Sequence, residues 1–305
     1  MKEKRLLLRR FTMPLAELEA YYRQKRIRQY EQQWLPNIGL RRRLYPLIAA
    51  FLKVDRLVSG ARLTCLSANP YKKEHPLVFA CTHVGRYDFE AALESIGQSV
   101  FLFMGDPGET YRNIDGVMLF LNGRICMDSF DRQDRFISKE TSVRILQGGG
   151  NILIWPEGAW NTTENLPVMP LFQGTAEMAI RIGADIVPLA FEQYGKEYVV
   201  NFGEAISCTG LSVTEKEKVT ARLRDCLATL RWEIWEKKGV FSRAALPKDA
   251  SERYLERIMS ETENGYTLEM IYATRYHHRE TSPEEVFAFL DRLIPCKENA
   301  FLMRR

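Results

Sequence analysis

Pro76-Leu-Val-Phe-Ala-Cys-Thr-His-Val-Gly-Arg-Tyr-Asp-Phe-Glu-Ala-Ala-Leu-Glu-Ser-Ile96 is the stretch whose reading decides the fold. Residues 76–81 form an apolar run too short for a helix and opened by a proline, as expected of a strand buried on both faces. From Phe89 to Ile96 the apolar residues follow helical spacing instead. Between them lies a polar turn with Gly85 near its centre. Strand, tight turn and helix in succession are the unit of a sheet whose faces are covered by helices.

The same alternation continues outward. Val100–Met104, Ile152–Trp155 and Ile186–Phe191 are short apolar runs that predict buried strands, with helical patterns at Lys139–Gln147 and Thr175–Ile182. The expected fold is therefore α/β, a mixed and largely parallel sheet flanked by helices, occupying residues 61–207. Residues 1–60 read as a basic amphipathic helical segment, with helices from about Pro14 to Trp34 and Ile38 to Leu57. The second places Leu40, Leu44, Leu47, Ile48, Phe51 and Leu52 on one stripe, with Arg41, Arg42, Arg43, Lys53 and Arg56 around it. Such a face suits the surface of an anionic bilayer, or packing on the chain's own domain with the cations in water. Residues 208–305 read as a mainly helical extension. Ser212 and Glu215 make a capping box, Val219, Leu223, Leu227, Leu230 and Ile234 an apolar stripe, and Gly239 a stop. Ser282-Pro283-Glu284-Glu285 predicts a further helix start, running to about Leu293.

Composition limits the function classes. The chain has 305 residues, 46 % hydrophobic and 27 % charged, ample for a folded core. Residues 1–43 carry 12 Lys/Arg against 4 Asp/Glu, a net +8 against +4 for the whole chain, which leaves residues 44–305 at −4. So local a basicity argues against nucleic acid as a partner. Six scattered cysteines with no CxxC pair read as reduced thiols. No stretch reaches the roughly 18 apolar residues of a spanning helix, so any membrane contact is expected to be peripheral.

The turn Thr82-His83-Val84-Gly85-Arg86-Tyr87-Asp88 carries the chemistry. An imidazole after a buried strand sits at the mouth of the sheet and takes up a proton near neutral pH. A carboxylate five residues on, across a glycine-containing turn, can fold back onto its other ring nitrogen, fix the tautomer and stabilise the imidazolium. The pair could activate a hydroxyl without a serine or cysteine intermediate. The alternatives are a structural histidine and Asp88 as a simple helix N-cap. A second segment, Asn151-Ile-Leu-Ile-Trp-Pro-Glu-Gly158, runs a strand into Pro156. There Gly158 lets backbone approach a ligand, and Glu157 either holds a substrate hydroxyl or amine or is simply solvated. No His/Cys cluster with ligand spacing points to a metal; His277 and His278 are adjacent and face different ways.

Taken together, these segments resemble the glycerophospholipid acyltransferase family, which includes lysophosphatidate acyltransferases. Its blocks are a histidine and an aspartate separated by four residues, a glycine-led strand ending in aspartate-arginine, a proline-glutamate-glycine turn, and a late strand containing proline. Here they read His83 to Asp88, Gly123-Arg-Ile-Cys-Met-Asp128, Pro156-Glu157-Gly158 and Ile186-Val187-Pro188-Leu189. The resemblance covers roughly residues 62–205. It implies acyl transfer from an acyl thioester, acyl-CoA or acyl carrier protein, to a hydroxyl of a lysolipid such as 1-acylglycerol-3-phosphate or a related lipid alcohol. His83 would be the general base, Asp88 its orienter, and Pro188 part of the substrate wall, with no bound cofactor.

Two departures bear on the acceptor. Ser129 and Trp160 stand where the family has arginines that would clamp a phosphate. Arg86, or Arg132 and Arg135, are the stand-ins expected from position, whereas Arg124 faces away on a regular strand. Trp160 offers an apolar or sugar-stacking face to a different head group. The alternative reading is a catalytically inactive lipid-binding relative. The expected location is the cytoplasm, peripherally on the inner face of the cytoplasmic membrane.

Overall fold

The computed structural model describes residues 11–71, 76–85, 87–105, 108–112, 114–163, 166–239, 243–260, 267–276 and 296–297. In chain order they form α1 (Leu15–Glu31), α2 (Ile38–Ser59), β1 (Arg62–Cys65), β2 (Leu77–Cys81), α3 (Asp88–Ile96), β3 (Phe101–Gly105), α4 (Ile114–Asn122), β4 (Arg124–Met127) and α5 (Arg132–Gln147). They continue as β5 (Ile152–Ile154), α6 (Gly174–Ile182), β6 (Asp185–Tyr194), β7 (Glu197–Phe202), α7 (Lys216–Lys238), α8 (Ala250–Ser260) and α9 (Leu268–Ala273). The sheet order is β1-β7-β6-β2-β5-β3-β4. Pairing is parallel from β6 through β2, β5 and β3 to β4, and the β6–β7 pair alone is antiparallel. The mixed, largely parallel sheet read from the sequence is the one observed.

Alternation along each strand divides two cores. Val78, Ala80, Ile152, Ile154 and Ile186 face one side with residues of α5, α6 and α7. Leu77, Phe79, Cys81, Leu153, Val187 and Leu189 face the other with residues of α2, α3 and α4. Both faces are dry, so the strands read as unbroken apolar runs rather than as alternating ones. A fully buried Phe79 or Leu153 each contributes about 1.5–3 kcal/mol by leaving water.

The flanking segments join these cores. Ile48 and Leu52 of α2 pack into the second core. Val219, Leu223 and Leu227 of α7 pack into the first, while Leu230 and Ile234 cover Ala190 and Val199. The capping box at Ser212 and Glu215 is present and opens a 3₁₀ turn that runs into α7. α1 is fixed by the Arg26 guanidinium, which donates to both oxygens of the buried Asp134 at 2.9 and 2.6 Å. The expected helix at 282–293 lies outside the described residues. α5 starts seven residues before the apolar pattern does, because Asp131 caps it by accepting from Asp134 N at 2.8 Å. β6 outruns its apolar segment because it turns into β7 through Gly195 (φ +61°) and Lys196.

Candidate active site

β2 ends in the middle of the sheet, and its last ladder contact places the turn. Thr82 N donates to Leu189 O at 3.1 Å, and Thr82 Oγ1 accepts from Phe191 N at 2.8 Å. The chain then folds back within five residues. Asp88 Oδ2 accepts from Val84 N at 3.0 Å and lies 2.5 Å from His83 Nδ1. Asp88 is the first residue of α3, whose N-cap is Tyr87, so the carboxylate does not act as a simple cap. Its side chain is 2 % exposed, against 24 % for His83. An oxygen already accepting a backbone N–H assigns the proton to Nδ1, which leaves Nε2 as the acceptor nitrogen.

The facing wall is the loop after β5. Glu157 is fully buried. Its Oε1 accepts from His83 N at 3.1 Å and its Oε2 from Met169 N at 2.8 Å. Asn161 N donates to His83 O at 2.9 Å. His83 is thus held through its N–H, its carbonyl and its ring. The rings of Trp155 and Trp160 stand 5.4 and 5.7 Å from the imidazole. Burial raises the pKa of Glu157, opposed by the Met169 N–H and by the charge of Arg231. Arg231 donates to Glu192 Oε2 at 2.9 Å and to Pro167 O at 2.6 Å, beneath the same loop. Cys81 is buried, and its thiol is pushed well above its ordinary value by burial and by the charges of Asp88 and Glu157. That makes it a poor nucleophile.

The structure thus brings His83, Asp88, Glu157 and Trp160 together, with Gly158 beside them. Two roles expected from the sequence change. Both carboxylate oxygens of Glu157 are taken by backbone N–H groups, so it is a positioning residue and not a substrate contact. Pro188 pairs with Ala80 inside the sheet, one residue beyond the last β6–β7 pair, where its carbonyl accepts from Gly203 N at 3.0 Å. It is buried there, where the β6–β7 ladder ends. Arg86 lies outside the described residues. Arg135 reaches back to Ser129 O at 2.6 Å, and Arg132 is exposed. Arg124 donates to Thr110 Oγ1 at 3.0 Å with its guanidinium over Tyr111. Asp128 is paired with Arg23 of α1, a partner the strand pattern gave no sign of. Among the described residues no group of three or more His, Cys, Asp or Glu side chains could hold a metal ion.

Sequence reasoning missed the C-terminal contribution. Tyr254 Oη donates to Asn161 O at 3.2 Å, Arg275 donates to Thr162 Oγ1, and Ile271 packs on Ala159, Met169 and Trp160. For Arg231 a signal did exist: it sits at i+4 from Leu227 on the buried stripe of α7, where a charge demands a partner.

Residues 62–192 match the family model described as Acyltransferase. The crystal structure of the 1-acyl-sn-glycerophosphate (LPA) acyltransferase PlsC from Thermotoga maritima is similar, with a TM-score of 0.53 at 13 % identity over 80 % of this chain and 100 % of that one. At that identity the likeness is one of fold. A search of curated proteins finds no match. The family match and the shared fold together make residues 62–192 a segment similar to the acyltransferase family.

Proposed function

We propose that the protein moves a fatty acyl group from an acyl thioester, acyl-CoA or acyl carrier protein, to a hydroxyl of a lysolipid such as 1-acylglycerol-3-phosphate. The observation that carries this reading is the 2.5 Å contact between His83 Nδ1 and Asp88 Oδ2, with the imidazole partly open and the carboxylate closed off. Nε2 takes the hydroxyl proton as the oxygen attacks the thioester carbonyl. The tetrahedral adduct collapses by breaking the C–S bond, and the departing thiolate receives that proton. Asp88 stabilises the imidazolium between the two transfers. General-base help of this kind is worth about 10²–10⁴-fold. Incubating the chain with acyl-CoA and a whole-cell lipid extract, then reading new esters by mass spectrometry, tests the proposal. His83→Ala is expected to remove the product while the protein stays folded; undiminished ester formation would take His83 out of the mechanism.

The chain works at a membrane surface in this reading. Ile48 and Leu52 are spent in the core, but Leu40, Leu47, Phe51, Val54 and Val58 form an exposed stripe on the outer side of α2, and Val58 is 82 % exposed. The cations are fewer than the sequence promised. Arg56 is paired with Glu94 and Arg41 lies buried over Phe120, which leaves Arg42, tied to Gly149 O, with Arg43 and Lys53 facing water. No helix among the described residues is long and apolar enough to cross a bilayer. Contact is therefore mainly apolar, with about 1 kcal/mol per cation added by anionic lipid. Co-sedimentation with anionic vesicles should fall sharply in the double variant Leu47→Asp/Val54→Asp and only modestly with salt. Retained binding in that variant would refute this face.

A further inference from the structure

The loop of residues 156–163, which holds His83, contains no cation of its own. The C-terminal segment brings one to it. Thr274 O stands 2.9 Å from where a Cβ on Gly158 would lie, and the next residue, Arg275, donates through Nη2 to Thr162 Oγ1. Thr162 follows Asn161, the residue that donates to His83 O. The guanidinium rests 4.4 Å over the Tyr272 ring, and its Nε is enclosed without a partner.

No carboxylate among the described residues pairs with Arg275. Arg23, Arg26, Arg56, Arg181 and Arg231 each face an Asp or Glu within ion-pair distance. Arg41, Arg124, Arg144 and Arg224 also lack a paired acid, but the first three lie over Phe120, Tyr111 and Tyr30, and Arg224 donates to Val168 O beyond this loop. Glu157 acts on Arg275 only through space, with its own oxygens turned to the His83 and Met169 N–H groups. Burial lowers the pKa of Arg275 and outweighs the opposing charges of Tyr272 and Glu157, so the guanidinium is desolvated without an ion-pair partner in contact. A half-buried cation left so is unfavourable by itself and becomes favourable when an anion joins it.

We propose that Arg275 is an anion-binding residue of the active site, where its guanidinium and the Thr162 hydroxyl receive a phosphate group of a substrate. The inference rests on the acyl-transfer reading for which substrate carries that phosphate, the lysolipid head group or the CoA moiety of the donor. A guanidinium has five N–H donors in a planar fork, and the bond to Thr162 leaves others for a phosphate. Arg275 touches no reacting atom; it sets which substrates are held.

Kinetics of the full chain, wild type and Arg275→Gln, with acyl-CoA and either 1-acylglycerol-3-phosphate or monoacylglycerol, test it. Loss of a charged hydrogen bond to phosphate is expected to raise KM about 10–100-fold while kcat changes little. Arg275→Lys should recover part of the loss. A higher KM confined to the phosphate-bearing acceptor assigns the lysolipid phosphate. A higher KM for acyl-CoA with both acceptors assigns the donor phosphate. An equal fall in kcat for both acceptors with KM unchanged, or no effect, overturns the proposal. Inorganic phosphate binding, read by ³¹P line broadening, separates this inference from the one beneath it. Weaker binding by Arg275→Gln than by wild type, in a chain that turns over no acceptor, upholds the site and sinks the transferase reading. Equal binding, or none in either protein, together with no turnover overturns the site.

Discussion

The turn at residues 82–88 and the loop at residues 156–163 meet at His83, and they are held in opposite ways. In the turn, the carboxylate, the backbone donor and the imidazole it organises all lie within six consecutive residues. The loop is fixed by groups far away in sequence: Arg231 on α7, which holds Pro167 O just beyond it and attracts Glu157, Tyr254 on α8 beside it, and Thr274 and Arg275 against its outer edge. A locally closed unit keeps its geometry wherever the sheet places it. A loop tied by distant segments keeps its shape only while those segments are docked, so its side of the site is the one that can change with the C-terminal region.

The largest effect belongs to the local unit. Asp88→Asn retains an oxygen that accepts from Val84 N and from Nδ1–H but loses the negative charge that stabilises the imidazolium. Transfer of a labelled acyl chain should fall by about 10²–10⁴-fold with the far-ultraviolet dichroism unchanged. A variant within a few-fold of wild type would mean that the short His83–Asp88 contact shapes the turn and has no part in proton transfer.

Two glycines sharpen the contrast at lower cost. Gly158 has φ +76°, and a Cβ there would meet the Phe172 ring at 2.5 Å and Thr274 O at 2.9 Å. Gly158→Ala is therefore expected to cost at least the 1–2 kcal/mol of the left-handed conformation and to loosen α9. At Gly85 the added methyl meets only the end of the Gln193 side chain, which can swing aside. Gly85→Ala should cost under about 1 kcal/mol. Urea denaturation gives both values, and amide exchange over residues 267–276 should quicken in the first variant only. Equal costs would show that the loop is no more dependent on distant packing than the turn.

The same division explains what could be read from the chain alone. Strand periodicity gave β2, β3, β5 and β6, because burial on both faces leaves uninterrupted apolar runs, and the dyad followed since its parts are neighbours in sequence. α4 escaped because an apolar run such as Val117-Met-Leu-Phe-Leu121 suits either a strand or a helix. The inward turn of Glu157 escaped because its partners, His83 N and Met169 N, are backbone groups with no sequence signature. Arg275 lay in a polar stretch that no periodicity ties to residue 162.

The smallest expected effect tests the link between the two regions. Glu157 is a buried carboxylate whose pKa burial raises, while two backbone N–H groups and Arg231 keep it anchored. A carboxyl group with a higher pKa in the folded than in the unfolded chain binds more protons when folded. Its contribution to stability is therefore most favourable below the unfolded value and declines as pH rises through the folded one. Glu157→Gln removes this titration but leaves an amide N–H facing one of the two backbone donors, so the variant should be less stable than wild type at pH 4.5. Its deficit should then shrink as pH rises, by no more than about 1.4 kcal/mol per pH unit for a single proton. Urea midpoints of both proteins across pH 4.5–8 give the difference directly, and other carboxylates cancel from it. A deficit that widens with pH would mean that the backbone donors and Arg231 outweigh desolvation, so that the ionised carboxylate adds to stability as it anchors His83.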